Sequence, residues 1–250
     1  PLCKMFYKNE YDLIFSAEDH LNVIVLLAAI LTKSKSKISA SSRVTPFDTY
    51  SNIWFSKNWV LKILTKMTMR RATVLSCVSK DMVLQYKSIF NNSKHQCIYN
   101  IVDDEDSRKK MIEPVDHPWL NQNKYPVIIA SGRLAHWKGF DYLIKSMPKI
   151  LKSTKAKLMI LGDGELKQQL TDLINELNLH DSIELIGFVS NPLKYYYRAN
   201  IFVLSSTVEG LPNVLIEAMM CGCTPVSTDC PTGPREILTN KKYGYLVPMR

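Results

Sequence analysis

No apolar run in this chain is long enough to cross a bilayer: the longest, Val23 to Leu31, falls far short of the roughly 20 residues that a spanning helix needs. No secretory leader is readable, and the chain opens on Pro1 rather than Met, which reads as an interior piece of a longer protein. Internal repeats and low-complexity tracts are lacking too, which argues against solenoids and disordered tails. Cysteine is sparse and unpatterned. Cys3, Cys77, Cys97 and Cys230 are scattered, and Cys221-Gly-Cys223 is a C-x-C at a helix end. Without paired zinc spacing or a His cluster, these read as reduced thiols of a cytoplasmic protein and give no metal site.

What is present is ordinary for a globular chain that can bury a core: 46% hydrophobic and 22% charged residues. A net charge of +9 suits an anionic partner, namely phosphates, nucleic acid or an anionic membrane face, and it also fits a merely solvated lysine-rich surface. No recognition-helix pattern and no single-strand-reading motif stands out, so nucleic acid is not expected as a partner.

Strand and helix patterns alternate along the whole chain. Strands are expected at 11–15, 37–40, 73–78 and 96–99, with helices at 21–31, 56–70 and 80–90 and a polar loop from Ser41 to Asn52. From Asn100 to Lys124 an acidic cluster, prolines and Asn121-Gln-Asn123 break the pattern, and a linker is placed over 101–123. A second series starts at Tyr125-Pro-Val-Ile-Ile-Ala130, with strands at 157–161, 183–186, 201–204 and 225–227. Its helices are expected at 139–152, 165–178, 193–198, 213–221 and 234–239. Strict alternation argues parallel sheets with right-handed crossovers, hence an α/β fold of two Rossmann-like domains, 1–100 and 124–250, facing a cleft.

The chemistry gathers where strands of the second series give way to helices. Glu209-Gly-Leu-Pro-Asn-Val-Leu-Ile-Glu217 places two carboxylates across a strand-to-helix junction, with a helix N-terminus between them. Sugar hydroxyls donate to carboxylates, while phosphates accept from backbone N–H groups and cations, so a diphosphate carrying a sugar suits the junction. Ser131-Gly-Arg133-Leu-Ala-His-Trp-Lys138 brings a guanidinium and an ammonium to a neighbouring strand end, where they would neutralise a diphosphate leaving group. Gly162-Asp-Gly164 is either a simple tight turn or a close approach to a nucleotide. The backbone of Phe188-Val189 is placed to meet a base, or else to pack a strand end. Arg235 and Glu236 fit a cleft face or a helix surface equally.

Together, Gly132-Arg133…Lys138-Gly139, Gly162-Asp163-Gly164, Glu209-Gly210…Glu217-Ala218, Gly222…Pro225-Val226 and Glu236…Gly244…Val247 resemble the retaining glycosyltransferases of family 4, of GT-B fold. The order and spacing match over Val127 to Pro248. The resemblance implies that Arg133 and Lys138 hold the donor diphosphate and that Glu217 binds the ribose hydroxyls. Glu209 would lie by the donor sugar, and the stretch Gly210, Leu211, Pro212 and Asn213 would meet sugar or phosphate oxygens through its backbone amides. It further implies a nucleotide-sugar donor (UDP favoured), a glycan or lipid-linked acceptor, no bound metal, and no protein nucleophile. The wording Pro231-Thr-Gly-Pro-Arg-Glu-Ile-Leu238 is similar to a subgroup that builds bacterial surface glycans. The first half resembles the later part of the family's acceptor domain, whose start and the extreme C-terminus are expected to lie outside this chain. Where many members carry a His, the sequence reads Ser41-Ser42-Arg43. A catalytically silent sugar-nucleotide-binding subunit and a GT-B phosphorylase or epimerase therefore stay open as alternatives. His20 is placed either in the cleft or at a helix start.

One further segment stands out. Trp54, Phe55 and Trp59 precede or open a helix in which Lys57, Lys62, Lys66, Arg70 and Arg71 interleave with aliphatic residues. It reads either as a core helix with a solvated basic face or as a peripheral contact with an anionic membrane.

Overall fold

A computed structural model describes residues 1–91, 93–121, 124–239 and 242–249, which divide into two compact units, 1–100 and 101–250. In the first unit, four parallel strands run in spatial order β1 (Leu13–Ala17), β2 (Lys37–Ser42), β3 (Val74–Cys77) and β4 (Gln96–Cys97). Around them lie α1 (Leu2–Lys8), α2 (Asp19–Leu31), α3 (Pro46–Thr49), α4 (Lys57–Thr68) and α5 (Lys80–Ile89). Ser56 and Ser79 cap α4 and α5, each hydroxyl accepting the N–H of the third residue on (Trp59, Met82), which satisfies a donor that the helix itself leaves open.

The structure moves several boundaries of this unit. β1 and β2 extend over Ser16, Ala17, Ser41 and Ser42, where polarity suggested strand ends. Hydrogen bonds to α2 accompany the burial of these strand ends. Ser16 Oγ donates to Asn22 Oδ1 at 2.6 Å, Asn22 Nδ2 donates to the Ser41 carbonyl at 2.8 Å, and Ser42 Oγ donates to Asp19 at 2.6 Å. The segment from Ser41 to Asn52, expected to be loop throughout, holds the end of β2 and the short α3, begun by Pro46 at its first position. The sequence pattern gives no sign of α1.

The second unit is a six-stranded parallel sheet of β5 (Val127–Ser131), β6 (Lys157–Leu161), β7 (Ile183–Gly187), β8 (Ile201–Leu204), β9 (Thr224–Thr228) and β10 (Tyr245–Val247). Their spatial order is β10-β9-β8-β5-β6-β7. The intervening helices are α8 (Phe140–Leu151), α9 (Lys167–Glu176), α10 (Leu193–Tyr196), α11 (Asn213–Met220) and α12 (Pro234–Ile237). Two further helices precede the sheet, α6 (Glu105–Met111) and α7 (Pro118–Asn121). Every residue of β5 is buried because helices cover both faces of the sheet. Ile129 joins Met159, Phe202 and Leu215 on one side, while Ile128 and Ala130 join Leu158, Ile144 and Met147 on the other. Each such large side chain contributes on the order of 2 kcal/mol by leaving water.

The segment expected as a linker folds with this unit over its described part. Val115 and Leu120 enter its core, Met111 packs against that core, and Asn191 Nδ2 donates to the Lys110 carbonyl at 3.0 Å. Gln122 and Asn123 of that segment lie outside the described residues, as do Asn240, Lys241 and Arg250.

Candidate functional site

The chain runs outward from β5 through β6 to β7, then returns to begin β8 on the other side of β5 and runs outward again. The carboxyl ends of β5 and β8 therefore flank the topological switch point, where open α/β sheets leave a crevice for ligands. Two motifs meet there. Ser205 Oγ donates to the Lys138 carbonyl at 2.7 Å, and the Thr207 N–H donates to the Trp137 carbonyl at 2.8 Å. Gly139 makes this approach possible: at φ +61°, a Cβ built on it would stand 2.4 Å from the Ser205 carbonyl oxygen.

Across this seam Lys138 Nζ bonds Glu209 Oε1 at 2.6 Å, with both side chains largely buried. The ammonium has three donors and spends one on Glu209, which leaves two for an incoming anion. Glu209 is held from the backbone as well, its carbonyl accepting from the Thr232 hydroxyl. After it, Gly210, Leu211 and Pro212 form a buried turn into α11, which starts at Asn213 and presents its N-terminus at the switch point.

The loops after β5, β6 and β7 lie against one another. Leu134 N–H donates to the Asp163 carbonyl at 2.9 Å, Leu166 N–H returns a bond to the Leu134 carbonyl at 3.0 Å, and Gly162 N–H donates to the Gly187 carbonyl at 2.7 Å. Between them opens a groove of about 350 Å³ lined by Gly132, Arg133, Gly162, Phe188, Val189 and Val214. Phe188 is 79% exposed, a large ring held out beside the groove. Arg133 is exposed and pairs through Nε with Glu165 at 3.0 Å. The backbone amide of Glu165 and then Arg133 hold that carboxyl below its usual range.

Glu217 lies one turn into α11, half-buried, and loss of hydration raises its pKa. Its charge adds to burial in raising the pKa of Tyr196, a groove residue whose hydroxyl shares a hydrogen bond with Ser131. The candidate residues thus fall into two groups: Lys138 and Glu209 at the β5–β8 seam, and Arg133, Gly162, Phe188 and Val189 around the groove, with Glu217 reached through Tyr196. Gly164 is not on the groove wall but packs beneath the loop after β5, where a Cβ would meet the Leu134 backbone. The sequence reading missed Thr232, Ser205, Tyr196 and Ser131. Each acts through a hydroxyl bonded to a group 23 to 67 residues away, and such pairing leaves no local pattern. Arg235 turns to Asp229, with Nε 3.0 Å from Oδ1. Cys230 is buried beside the seam, its thiol pushed up to about 12 by loss of hydration, then by the Glu209 charge.

In the first unit, the carboxyl ends of β1 and β2 are fixed by buried Asp19, which accepts from Ser42 Oγ and from the Tyr86 hydroxyl at 2.9 Å. Burial raises its pKa against these bonds. His20 stands exposed in the first turn of α2, and Arg43 is exposed just after β2. A cavity of about 760 Å³ in this unit lies by Thr73, Val74, Lys94 and Gln96 at the amino ends of β3 and β4, the edge away from the ligand side of a parallel sheet. Among the described residues, no group of three His, Cys, Asp or Glu side chains is placed to hold a metal ion, and no helix is long and apolar enough to cross a membrane.

Two parallel α/β units with the site at a switch point are the architecture of GT-B glycosyltransferases. HepE of Anabaena, solved in complex with UDP, superposes on 99% of this chain with a TM-score of 0.79 at 20% identity, over 67% of its own length. TarM of S. aureus, also solved with UDP, matches 99% of this chain with a TM-score of 0.76 at 19% identity, over 48% of its own length. The chain belongs to the family of glycosyl transferases group 1, whose sequence profile matches residues 111–250. An uncharacterized glycosyltransferase of Methanocaldococcus jannaschii is 34% identical over 95% of the chain. The N-acetylgalactosamine-N,N'-diacetylbacillosaminyl-diphospho-undecaprenol 4-alpha-N-acetylgalactosaminyltransferase of Campylobacter jejuni is 33% identical over 90% of it. The chain spans 60% of the length of each of these two relatives.

Proposed function

We propose that the second unit holds a nucleotide-diphospho-sugar, UDP-linked, for a cytoplasmic enzyme of surface-polysaccharide assembly. The enzyme passes the sugar to a glycan or lipid-linked acceptor with retention of configuration. The observation that carries this reading is the Lys138–Glu209 pair at the switch point, 2.6 Å apart and bordered by the turn into α11. UDP in the solved neighbours supports the choice of base, and the diphospho-undecaprenol acceptor named for the Campylobacter jejuni relative supports a lipid-linked one.

In this reading Lys138 and Arg133 hold the diphosphate and stabilise the charge that develops as the sugar–phosphate bond breaks. Arg133 exchanges its exposed pairing with Glu165 for a phosphate oxygen, a small loss for a solvated ion pair. The backbone amides from Gly210 to Asn213 meet phosphate or sugar oxygens. Glu209 accepts from sugar hydroxyls and keeps the ammonium in place. Glu217 accepts from the ribose hydroxyls. Neither carboxylate acts as a glycosidase nucleophile. The leaving diphosphate takes the acceptor proton on the face it departs from, and no metal is required. Proton NMR of the product formed from an α-linked UDP-sugar in EDTA tests this. An α-linked product is expected, and a β-linked product, or dependence on added divalent metal, would refute it.

A further inference from the structure

From Thr49 to Lys80 the chain carries six cations (Lys57, Lys62, Lys66, Arg70, Arg71 and Lys80) and no carboxylate. Most of this charge surrounds an apolar surface that the fold leaves outside. Trp54 is 74% exposed and Phe55 81%, and both lean on Trp59, with ring centroids 6.0 and 5.6 Å away. Phe55 sits at φ +60°, a conformation that costs a bulky residue energy and here gains it no burial. The knuckle is nevertheless fixed. Ser51 Oγ accepts the Ile53 N–H at 3.0 Å, Ser56 Oγ donates to the Ile53 carbonyl at 2.8 Å, and Lys62 Nζ donates to Asn52 Oδ1 at 2.7 Å. The aromatics are thus presented in one arrangement, which lowers the ordering cost of docking.

The helix that follows continues this surface. α4 turns Leu61, Thr65 and Thr68 inward, while Val60, Ile63 and Met67 form a stripe on its exposed side. Exposed Lys57, Lys66 and Arg70 flank that stripe. A solvated surface helix would show its polar face there.

We propose that the Trp54–Phe55–Trp59 knuckle and the outer face of α4 form a docking surface for an anionic lipid membrane. Indole and phenyl rings settle at the headgroup level, and lysine stems lie along the acyl boundary with their ammonium groups at the phosphates. Composition separates this occupant from others. Protein interfaces favour aromatics but are depleted of lysine, whereas here the two interleave. A second copy would set cations against cations across a two-fold axis.

Co-sedimentation of the 250-residue chain with phosphatidylglycerol–phosphatidylcholine vesicles, compared with pure phosphatidylcholine, tests the proposal. Binding is expected to the anionic vesicles and to weaken as salt rises. Trp54→Ser with Phe55→Asn should lower it at least about tenfold, from the apolar area each ring withdraws. Asparagine tolerates the left-handed backbone at 55, so thermal unfolding of this variant should match that of the parent. Lys57→Gln and Lys66→Gln should each cost about fivefold, the effect of one cation near an anionic surface. Equal binding to both vesicle types, binding to neither, or an unchanged affinity in the aromatic double variant would overturn the proposal. So would a dimer of the parent on gel filtration that the double variant abolishes. The readout involves no nucleotide, so its failure leaves the donor-site reading untouched.

Discussion

Replacing Lys138 by methionine is expected to weaken UDP binding about tenfold to a hundredfold and to lower the melting temperature by roughly 10 °C. The two effects have separate causes. Binding falls because one charge-assisted contact to the diphosphate is worth about 1.5–3 kcal/mol, and each 1.4 kcal/mol is a factor of ten. Stability falls because the Glu209 side chain, only 11% exposed, is left without the ammonium 2.6 Å from it. Breaking a buried pair from one side costs about 3–5 kcal/mol, and a unit of this size loses 2–4 °C per kcal/mol. The double variant Lys138→Met with Glu209→Gln should recover most of the stability and none of the affinity. Recovery of both would mean that Lys138 serves the fold alone. Calorimetric titration and thermal unfolding of the parent and both variants decide it.

The second large effect is expected from Gly162→Ala, a substitution that adds one methyl group. Gly162 sits at φ +134°, and a Cβ there would lie 1.9 Å from the Gly132 carbonyl oxygen. That oxygen is backbone in the loop after β5, anchored where Gly132 N–H donates to the Leu161 carbonyl at 2.9 Å, so it has little room to retreat. Left-handed strain of about 1–3 kcal/mol adds to an overpacking cost of similar size. A loss of about 3 kcal/mol or more is expected in denaturant unfolding, with nucleotide affinity falling as the Arg133 loop shifts. A variant as stable as the parent would show that the two loops separate freely and that their contact does not shape the groove.

These two positions show how unevenly the site is legible in the sequence. The strand–turn–helix grammar around Glu209 and Glu217 is local: a short apolar β-branched run, a Gly-Leu-Pro turn and a helical period. That is why β8 and α11 fall close to where the spacing puts them. The buried run of β5 is equally plain, since a strand covered on both faces must be apolar throughout. The Lys138–Glu209 contact joins residues 71 positions apart, and nothing in either neighbourhood announces it. The glycines of Gly162-Asp-Gly164 suit a tight turn or an approach to a nucleotide. The backbones they meet first are those of Gly132 and Leu134, although Gly162 also lines the groove. Ser41 and Ser42 mislead for a different reason. Their polarity argues loop, yet Asn22 bonds the Ser41 carbonyl and Asp19 takes the Ser42 hydroxyl at the end of the sheet, and partners from another element are invisible to a window along the chain. The same blindness puts a linker over 101–123, where Met111, Val115 and Leu120 reach a core built by later segments.

Everything proposed for the second unit depends on the crevice at the β5–β8 switch point being a nucleotide-sugar donor site that works without metal. Calorimetric titration of the chain with UDP, GDP and ADP in EDTA, in parallel with Glu217→Gln, is the decisive experiment. Micromolar-range binding of UDP is expected, with GDP and ADP weaker. Glu217→Gln should weaken UDP by about tenfold or more as the ribose hydroxyls lose a charged acceptor. Absence of binding by all three nucleotides, or UDP binding that ignores the Glu217 substitution, would rule out a donor site of this kind.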